Sequence, residues 1–281
     1  MIDGASLAQR IRAAHEARQP LVMGIVNVTP DSFSDGGRYL RPEIAVAHAM
    51  TLVEQGADLL DIGGESTRPG ADAVSVEDEL ARVIPVIEAL AALCDVPISI
   101  DTSKPELMQA AVAAGARMIN DVNGLRAEGA LSAAAAAAVP VCLMHMQGRP
   151  RTMQANPQYQ DVVQEVGAFL AERVAACVEA GIPRDFIAVD PGFGFGKTLT
   201  HNLTLLRHQE KLRDLDLPLL IGISRKSMLG AITGRKSADE RLAASIAAAV
   251  LAAERGAAIL RVHDVAETVD ALKIIQAVLN A

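Results

Sequence analysis

The chain is poor in the aromatic residues that line many binding sites. Its 281 residues include no tryptophan and only two tyrosines. Few rings are therefore present to stack on a sugar. This weighs against a glycoside hydrolase, although the sequence does contain the paired carboxylates that such an enzyme needs.

Cysteine is also scarce. The three residues, Cys94, Cys142 and Cys177, lie far apart in the sequence among apolar or alanine-rich neighbours. This arrangement predicts thiols that fill the core of a protein in a reducing compartment, rather than a disulfide or a set of metal ligands.

Basic patches and long apolar runs are missing as well. The net charge is −8, and the lysines and arginines do not form a basic stripe. Nucleic acid is therefore not an expected partner. No apolar run is long enough to span a bilayer, and residues 1–20 lack the hydrophobic core of a signal peptide. We expect a soluble, cytoplasmic protein that binds small molecules.

The remaining residues follow an alternating pattern. Eight short β-branched runs are separated by alanine-rich amphipathic segments, and an amphipathic helical segment precedes the first run. Parallel strands joined by helices explain this order, and eight units in a chain of this length predict a closed (β/α)₈ TIM barrel, as a single domain over residues 1–281. A doubly wound open sheet remains the alternative, because the pattern does not prove closure. The eight runs are LVMGIVNV, LLDIGG, PISIDT, RMINDV, VCLMHM, FIAVDPG, LLIGIS and ILRVHDV.

Polar side chains stand near the end of almost every predicted strand. One such residue alone more often begins a turn or caps the next helix. In a barrel, however, these ends converge on one face and would surround a single pocket. The residues are Asn27, Asp61, Asp101, Asn120 with Asp121, His145, Asp190, Ser224, and Arg261 with His263.

Two of the predicted loops are rich in hydrogen-bonding groups. The loop after the first strand contains Phe33, an unusual residue for a solvated loop and one that suits a flat ligand. The loop after the second strand, GGESTRPGA, offers the Thr67 hydroxyl and the Arg68 cation for a phosphate or carboxylate. The alternative for Arg68 is a surface ion pair with Glu65.

The segment DPGFGFGKT lacks the spacing of a P-loop and of a Rossmann fingerprint. Its glycines predict a turn that presents Phe193 or Phe195. GISRKSMLG and RVHDV place Lys226 and Arg261 near the ends of the last two strands, where this fold commonly binds phosphate. A solvated position on the barrel rim is the alternative for Arg225.

Together these residues indicate a pocket for a polar, anionic substrate. Asp101 and Asp190, with Asn120, suit a ligand edge rich in N–H donors, such as that of a pterin or guanine. The cations suit an anionic leaving group. A metal enzyme is less well supported, because the sequence has no HExxH motif and no compact set of His and Asp ligands.

Eight motifs, in order, resemble the dihydropteroate synthases of the folate pathway. They are MGIVNVTPDSFSDGG, DIGGESTRPGA, ISIDTSKP, INDVNGL, LMHMQG, DPGFGFGKT, GISRKSMLG and RVHDV. The resemblance runs from about Leu21 to the C-terminus. It implies a transferase that condenses 6-hydroxymethyl-7,8-dihydropterin diphosphate with p-aminobenzoate, giving 7,8-dihydropteroate and pyrophosphate. It also implies a Mg²⁺ cofactor, inhibition by sulfonamides and a homodimer.

The resemblance assigns roles to particular residues. The pterin would contact Asp101, Asn120, Met144, Asp190, Lys226 and Arg261. The diphosphate would contact Asn27, Arg68, Arg261 and His263, with Asn27 also close to the metal. The p-aminobenzoate would contact Phe33, Thr67, Phe195, Lys226 and Ser227. The residues expected to act in catalysis are Asp101, Lys226, Arg261 and His263.

The expected mechanism is an SN1-like loss of diphosphate, assisted by Mg²⁺, and the loops at residues 27–37 and 63–71 are predicted to order only when diphosphate is bound. Two alternatives remain. A methyltetrahydrofolate-binding methyltransferase would share the Asp and Asn residues but has no need for the cations of the last two strands. A catalytically idle pterin-binding or dimer-partner protein would have no need for Asn27, Arg68, Lys226 and His263.

Overall fold

Eight parallel strands close into a barrel in chain order, and β8 pairs with β1. The computed structural model describes residues 3–29, 42–66, 74–149, 151–279 and 281. The predicted (β/α)₈ barrel is thus confirmed, and the open sheet is excluded. The strands are β1 (Leu21–Asn27), β2 (Leu59–Gly63), β3 (Ile98–Asp101), β4 (Met118–Asp121), β5 (Val141–Met144), β6 (Ile187–Asp190), β7 (Leu219–Ile221) and β8 (Ala257–Val262).

Local signals set several helix ends. Asp3, Ser75 and Asp161 accept hydrogen bonds from backbone N–H groups of the first turns of α1, α3 and α6, as N-cap residues do. Proline opens α2 and α4, where its missing N–H costs little. The helices are α1 (Gly4–Ala17), α2 (Pro42–Glu54), α3 (Val76–Leu93), α4 (Pro105–Ala114), α5 (Ala130–Ala137), α6 (Val162–Glu179), α7 (Leu199–Arg207), α8 (Ser227–Thr233), α9 (Leu242–Glu254) and α10 (Val265–Leu279).

The first helix closes one end of the barrel. Leu7, Ile11 and Ala14 of α1 belong to the same apolar cluster as Leu21 and Met23 inside the barrel. This packing confirms the predicted N-terminal helix and places it at the amino ends of the strands. Ligands therefore have access from the opposite end, where the strands terminate.

Small residues let the outer helices approach the sheet closely. Ala45 and Ala49 of α2 are fully buried. A Cβ atom on Gly24 of β1 would lie only 2.9 Å from a methyl carbon of Leu52. The alanine-rich composition thus has a packing reason, and most of the alanines after residue 129 form α5.

The cysteines form no disulfide in the structure. Cys142 and Cys177 are buried in apolar clusters, as predicted, whereas Cys94 is half-buried at the end of α3. None of the helices in the part of the chain that the structure describes is both long and apolar enough to cross a membrane.

Candidate active site

A polar layer lies above the apolar interior of the barrel. Side chains two residues apart on a strand point to the same side. Leu59, Met118, Ala188 and Ile259 all belong to the interior cluster. The residues two positions after them are Asp61, Asn120, Asp190 and Arg261. The period of the strands thus brings four polar side chains into the pocket at the carboxyl ends.

Arg261 stands at the centre of this layer. Its Nε donates to Asp61 Oδ2 at 2.5 Å, and its Nη2 donates to Asp101 Oδ2 at 2.7 Å. Asn120 Nδ2 donates to the same Asp61 oxygen at 3.1 Å. Burial lowers the pKa of Arg261, but the two carboxylates outweigh burial and raise the pKa above its ordinary value. The guanidinium is therefore a fixed cation.

Burial disfavours the charged form of the carboxylates in the layer. Burial raises the pKa of Asp101, Arg261 opposes the rise, and the nearby charge of Asp61 adds to it. Burial also raises the pKa of Asp190, whose Oδ1 accepts a hydrogen bond from the N–H of Gly192 at 2.7 Å. N–H donors of a ligand would therefore stabilise the charged form of both carboxylates.

Lys226 faces Asp190 from the next loop. It is the N-cap residue of α8, and its Nζ donates to the carbonyl oxygen of Phe193. The same nitrogen lies 4.6 Å from the centre of the Phe195 ring. Burial lowers the pKa of Lys226 to about 8, although the charge of Asp190 opposes the shift. Ser227, the first residue of α8, is exposed.

His263 is fixed by a serine of the neighbouring strand end. The backbone N–H of His263 donates to Ser224 Oγ at 3.2 Å, and the same oxygen lies 3.0 Å from His263 Nδ1. When the Ser224 hydroxyl donates to Nδ1, the ring hydrogen is on Nε2. That N–H is a suitable donor to a phosphate oxygen. Asn27 ends β1 opposite Gly63 and is partly exposed at the same end of the barrel.

The turn after β6 separates its two phenylalanines. Phe193 is fully buried in the main core, whereas Phe195 packs against a cluster formed by Met144, Met146 and Met153. The turn therefore presents Phe195, and Met144 lies beside it. Three glycines of the turn, at positions 192, 194 and 196, all have positive φ, which other residues adopt at a cost.

The comparisons with known proteins agree with this geometry. A family model described as "Pterin binding enzyme" matches residues 23–263. The dihydropteroate synthase of Escherichia coli K12 is 53% identical over 262 residues, which cover 93% of each chain. The chain belongs to the dihydropteroate synthase family.

Solved structures of dihydropteroate synthases share the fold over nearly the whole chain. The Xanthomonas albilineans enzyme with 4-aminobenzoic acid is 59% identical, covers 94% of each chain and superimposes with a TM-score of 0.89. The same enzyme in complex with 7,8-dihydropteroate gives 56% identity and a TM-score of 0.86, over 94% of this chain and 95% of that one.

The residues that the family resemblance singles out lie at the carboxyl ends of the strands or in the segments that follow them, wherever the structure describes them. They are Asn27, Asp101, Asn120, Met144, Asp190, Phe195, Lys226, Ser227, Arg261 and His263. Their individual roles stay predictions. Phe33, Thr67 and Arg68 lie outside the described residues, as does most of the two loops predicted to order with diphosphate.

One interpretation of the sequence needs correction. Arg225 is not a solvated charge on the rim. Its guanidinium forms two hydrogen bonds with Asp264, at 3.1 and 2.6 Å, and a third with Asp239 at 2.8 Å. Glu65, which the sequence suggested as an ion-pair partner of Arg68, accepts a hydrogen bond from Lys104 at 2.8 Å.

Two residues of the site had no role in the sequence analysis. Asp61 was only one of the strand-end residues, yet it is fully buried and binds Arg261. Lys197 was only the end of a glycine-rich segment, yet it is buried and its Nζ lies 2.9 Å from His145 Nδ1. A lysine in such an apolar, glycine-rich run was the signal that could have indicated a buried ammonium.

Proposed function

We propose that this chain condenses 6-hydroxymethyl-7,8-dihydropterin diphosphate with p-aminobenzoate, as a dihydropteroate synthase. The observation that carries the proposal is the polar layer, in which Asp101, Asn120 and Asp190 stand at strand ends and Asp61 and Asp101 fix the cation Arg261. Carboxylates and an amide match the N–H groups of an aminopyrimidine edge. The family membership supports the same reaction.

The pterin would lie on the polar layer. Asp190 and Asn120 are almost fully buried and would bind the aminopyrimidine edge. Lys226 would donate to a pterin acceptor, and Met144 would contact the ring. Arg261 would pack against the face of the pterin, because Asp61 and Asp101 hold its guanidinium plane in place.

The diphosphate would be bound by donors at the rim of the pocket. Two of the five N–H groups of Arg261 are used by the carboxylates, which leaves others for phosphate oxygens. His263 would donate from Nε2, and Arg68 would add a further cation. These residues neutralise the charge that develops as the C–O bond breaks.

A magnesium ion near Asn27 is part of the proposal, as the family resemblance implies. Mg²⁺ prefers oxygen ligands and usually combines few protein ligands with water and substrate phosphate. The side-chain amide oxygen of Asn27 is such a ligand. Among the described residues no group of three or more His, Cys, Asp or Glu side chains could hold a metal by itself. Bound there, the ion would supply charge neutralisation for the departing diphosphate.

Loss of diphosphate would leave a cation on the exocyclic methylene, conjugated to the electron-rich dihydropterin. The Asp101 carboxylate would stabilise this cation. The amine of p-aminobenzoate is already neutral at physiological pH, so it would attack without a dedicated general base, and the proton lost after the C–N bond forms would pass to the released pyrophosphate or to water. The step is therefore an SN1-like displacement. The amine of p-aminobenzoate would reach the methylene from a subsite formed by Phe195, Lys226 and Ser227, together with Phe33 and Thr67.

Four further parts of the proposal concern inhibition, assembly, location and the order of the loops. Sulfonamides resemble p-aminobenzoate and would compete for its subsite. The protein would act as a homodimer, in keeping with its family. It would work in the cytoplasm, where the three free cysteines suit a reducing compartment. The loops at 27–37 and 63–71 would order over the bound diphosphate.

Release of pyrophosphate by the purified protein tests the proposal. Mg²⁺ and the pterin diphosphate would be supplied with and without p-aminobenzoate, and Asp101→Asn and Lys226→Ala would be compared with the wild type. We expect release that depends on p-aminobenzoate, and a fall of about 100-fold or more in each variant. Asp270→Asn and Lys273→Ala are matched controls, because this pair is exposed on α10. Pterin binding without turnover would instead indicate a binding protein.

A further inference from the structure

Lys197 occupies an unusual position for a lysine. Its side chain lies between the ends of β5 and β6, and the residue is only 3% exposed. Its Nζ lies 2.9 Å from His145 Nδ1, 2.9 Å from the carbonyl oxygen of Gly192 and 3.0 Å from that of Phe195. Burial lowers the pKa of Lys197 to about 7. Whether charged or neutral, the amine has at least two N–H donors, which the two carbonyl oxygens accept.

These contacts join two loops. His145 directly follows β5, whereas Gly192 and Phe195 belong to the turn after β6. A Cβ atom on Gly192 would lie 1.9 Å from the carbonyl oxygen of His145, so the two backbones are in direct contact. Lys197 therefore holds the turn against the segment after β5, at a close spacing that only a glycine at position 192 allows.

Other side chains hold the outer side of the same turn. Gln154 Nε2 donates to the carbonyl oxygen of Gly194 at 2.5 Å, and the Tyr159 hydroxyl donates to that of Gly196 at 2.9 Å. Gln154 and Tyr159 both come from the segment between β5 and α6. The turn is thus held on its inner side by the Lys197 amine and on its outer side by two neutral donors.

This turn also fixes two groups of the pocket, the ring of Phe195 and the side chain of Lys226. The ring of Phe195 packs on Met146 and Met153, and the ammonium of Lys226 lies over the ring. The carbonyl oxygen of Phe193 accepts a hydrogen bond from the same ammonium. A shift of the turn would therefore move both the ring and the Lys226 side chain.

We propose that Lys197 is a positioning residue for the p-aminobenzoate subsite and acts through Phe195 and the turn that carries it. The inference rests on the proposed function, because that function assigns Phe195 to the second substrate. Without Lys197, the buried carbonyl oxygens of Gly192 and Phe195 lose their donor and the turn relaxes toward water. The pterin is affected less, because Asp101, Asn120 and Asp190 are on strands.

Steady-state kinetics of Lys197→Met test this role. Methionine keeps most of the length and the apolar stem of the side chain but has no N–H donors. We expect the KM for p-aminobenzoate to rise about tenfold or more, and the Ki of a sulfonamide to rise with it. The Kd of the pterin diphosphate should change by less than about threefold, because its main contacts come from the strands.

Two further variants separate positioning from general loss of stability. Tyr159→Phe removes one outer donor and should raise the same KM by about two- to fivefold; it also tests the inference if Lys197→Met does not fold. Gln209→Met is the matched control. It removes a buried hydrogen bond of 2.9 Å to the carbonyl oxygen of Ala252, outside the pocket, and should leave the KM unchanged.

The outcomes are distinct. A wild-type protein that forms no dihydropteroate would overturn the proposed function itself. A wild type that turns over, with an unchanged p-aminobenzoate KM in folded Lys197→Met and in Tyr159→Phe, would overturn the role of Lys197. Equal losses in the affinities of both substrates would also overturn it, since they indicate a general structural effect.

Discussion

Asp61 offers a strong test of how the pocket is organised. It is fully buried and accepts hydrogen bonds from Arg261 Nε at 2.5 Å and from Asn120 Nδ2 at 3.1 Å. Substitution by asparagine keeps the shape of the side chain and removes its charge. Arg261 then keeps only the Asp101 carboxylate, and its plane is no longer fixed from both sides.

The structure sets the size of the effect. A hydrogen bond to a charged group contributes about 1.5–3 kcal/mol. If that stabilisation of the Arg261 position is lost in the transition state, kcat/KM for the pterin diphosphate falls by roughly 10- to 150-fold. Part of the loss should appear as weaker binding of the pterin itself, because Asn120 also loses a charged acceptor.

The assay compares two aspartates with the same kind of partner. Asp58 forms an ion pair with Arg10 and accepts a hydrogen bond from the N–H of Val22 at 2.9 Å, at the other end of the barrel. We expect Asp58→Asn to lower the stability but not kcat/KM. The reasoning is refuted if folded Asp61→Asn has the kcat/KM of the wild type, or if both variants lose activity equally.

Two other predictions concern groups beside the polar layer. Ser224→Ala removes the hydroxyl that orients His263, so KM for the pterin diphosphate should rise by about three- to tenfold, while the affinity for a pterin without diphosphate, measured by calorimetry, stays the same; equal losses for both ligands would contradict this role. Burial lowers the pKa of His145 to about 3, and the charge of Lys197 adds to the shift. The unfolded chain therefore binds the proton first, and the free energy of unfolding should fall by up to about 1.4 kcal/mol per unit as the pH drops from 6.5 toward 3. His145→Asn, followed by denaturant unfolding, should lose less stability across this range than the wild type, and parallel curves would contradict the prediction.

The fold was predictable because its signals are local. Each strand is a short β-branched run, each crossover has the length and pattern of a helix, and eight such units leave few other arrangements. The period of two along each strand then places Asp101, Asn120, Asp190 and Arg261 in one pocket. For these residues, strand-end position alone was a sufficient guide.

The partners of these residues were not predictable in the same way. The Asp61–Arg261 pair depends on closure of the barrel, since β2 and β8 are separated by most of the chain. Arg225 meets Asp264 because β7 and β8 are neighbours, although the two residues are far apart in sequence. Long-range ion pairs of this kind follow from topology and have no local pattern.

The packing of α1 shows the same limit on a larger scale. Its amphipathic pattern predicts a helix, because apolar residues such as Leu7 and Ile11 recur on one face. The pattern does not say which surface that face covers. Only the closed barrel provides the apolar opening that α1 fills, and the position of the helix fixes the opposite end as the pocket.

The most direct test of the central claim is the stoichiometry of the reaction. Purified wild-type protein would be given the pterin diphosphate, p-aminobenzoate and Mg²⁺, with 7,8-dihydropteroate measured by chromatography and pyrophosphate measured in the same samples. The account predicts equal amounts of the two products, both absent when p-aminobenzoate is omitted. Pyrophosphate without dihydropteroate, or neither product from a protein that binds the pterin, would contradict it.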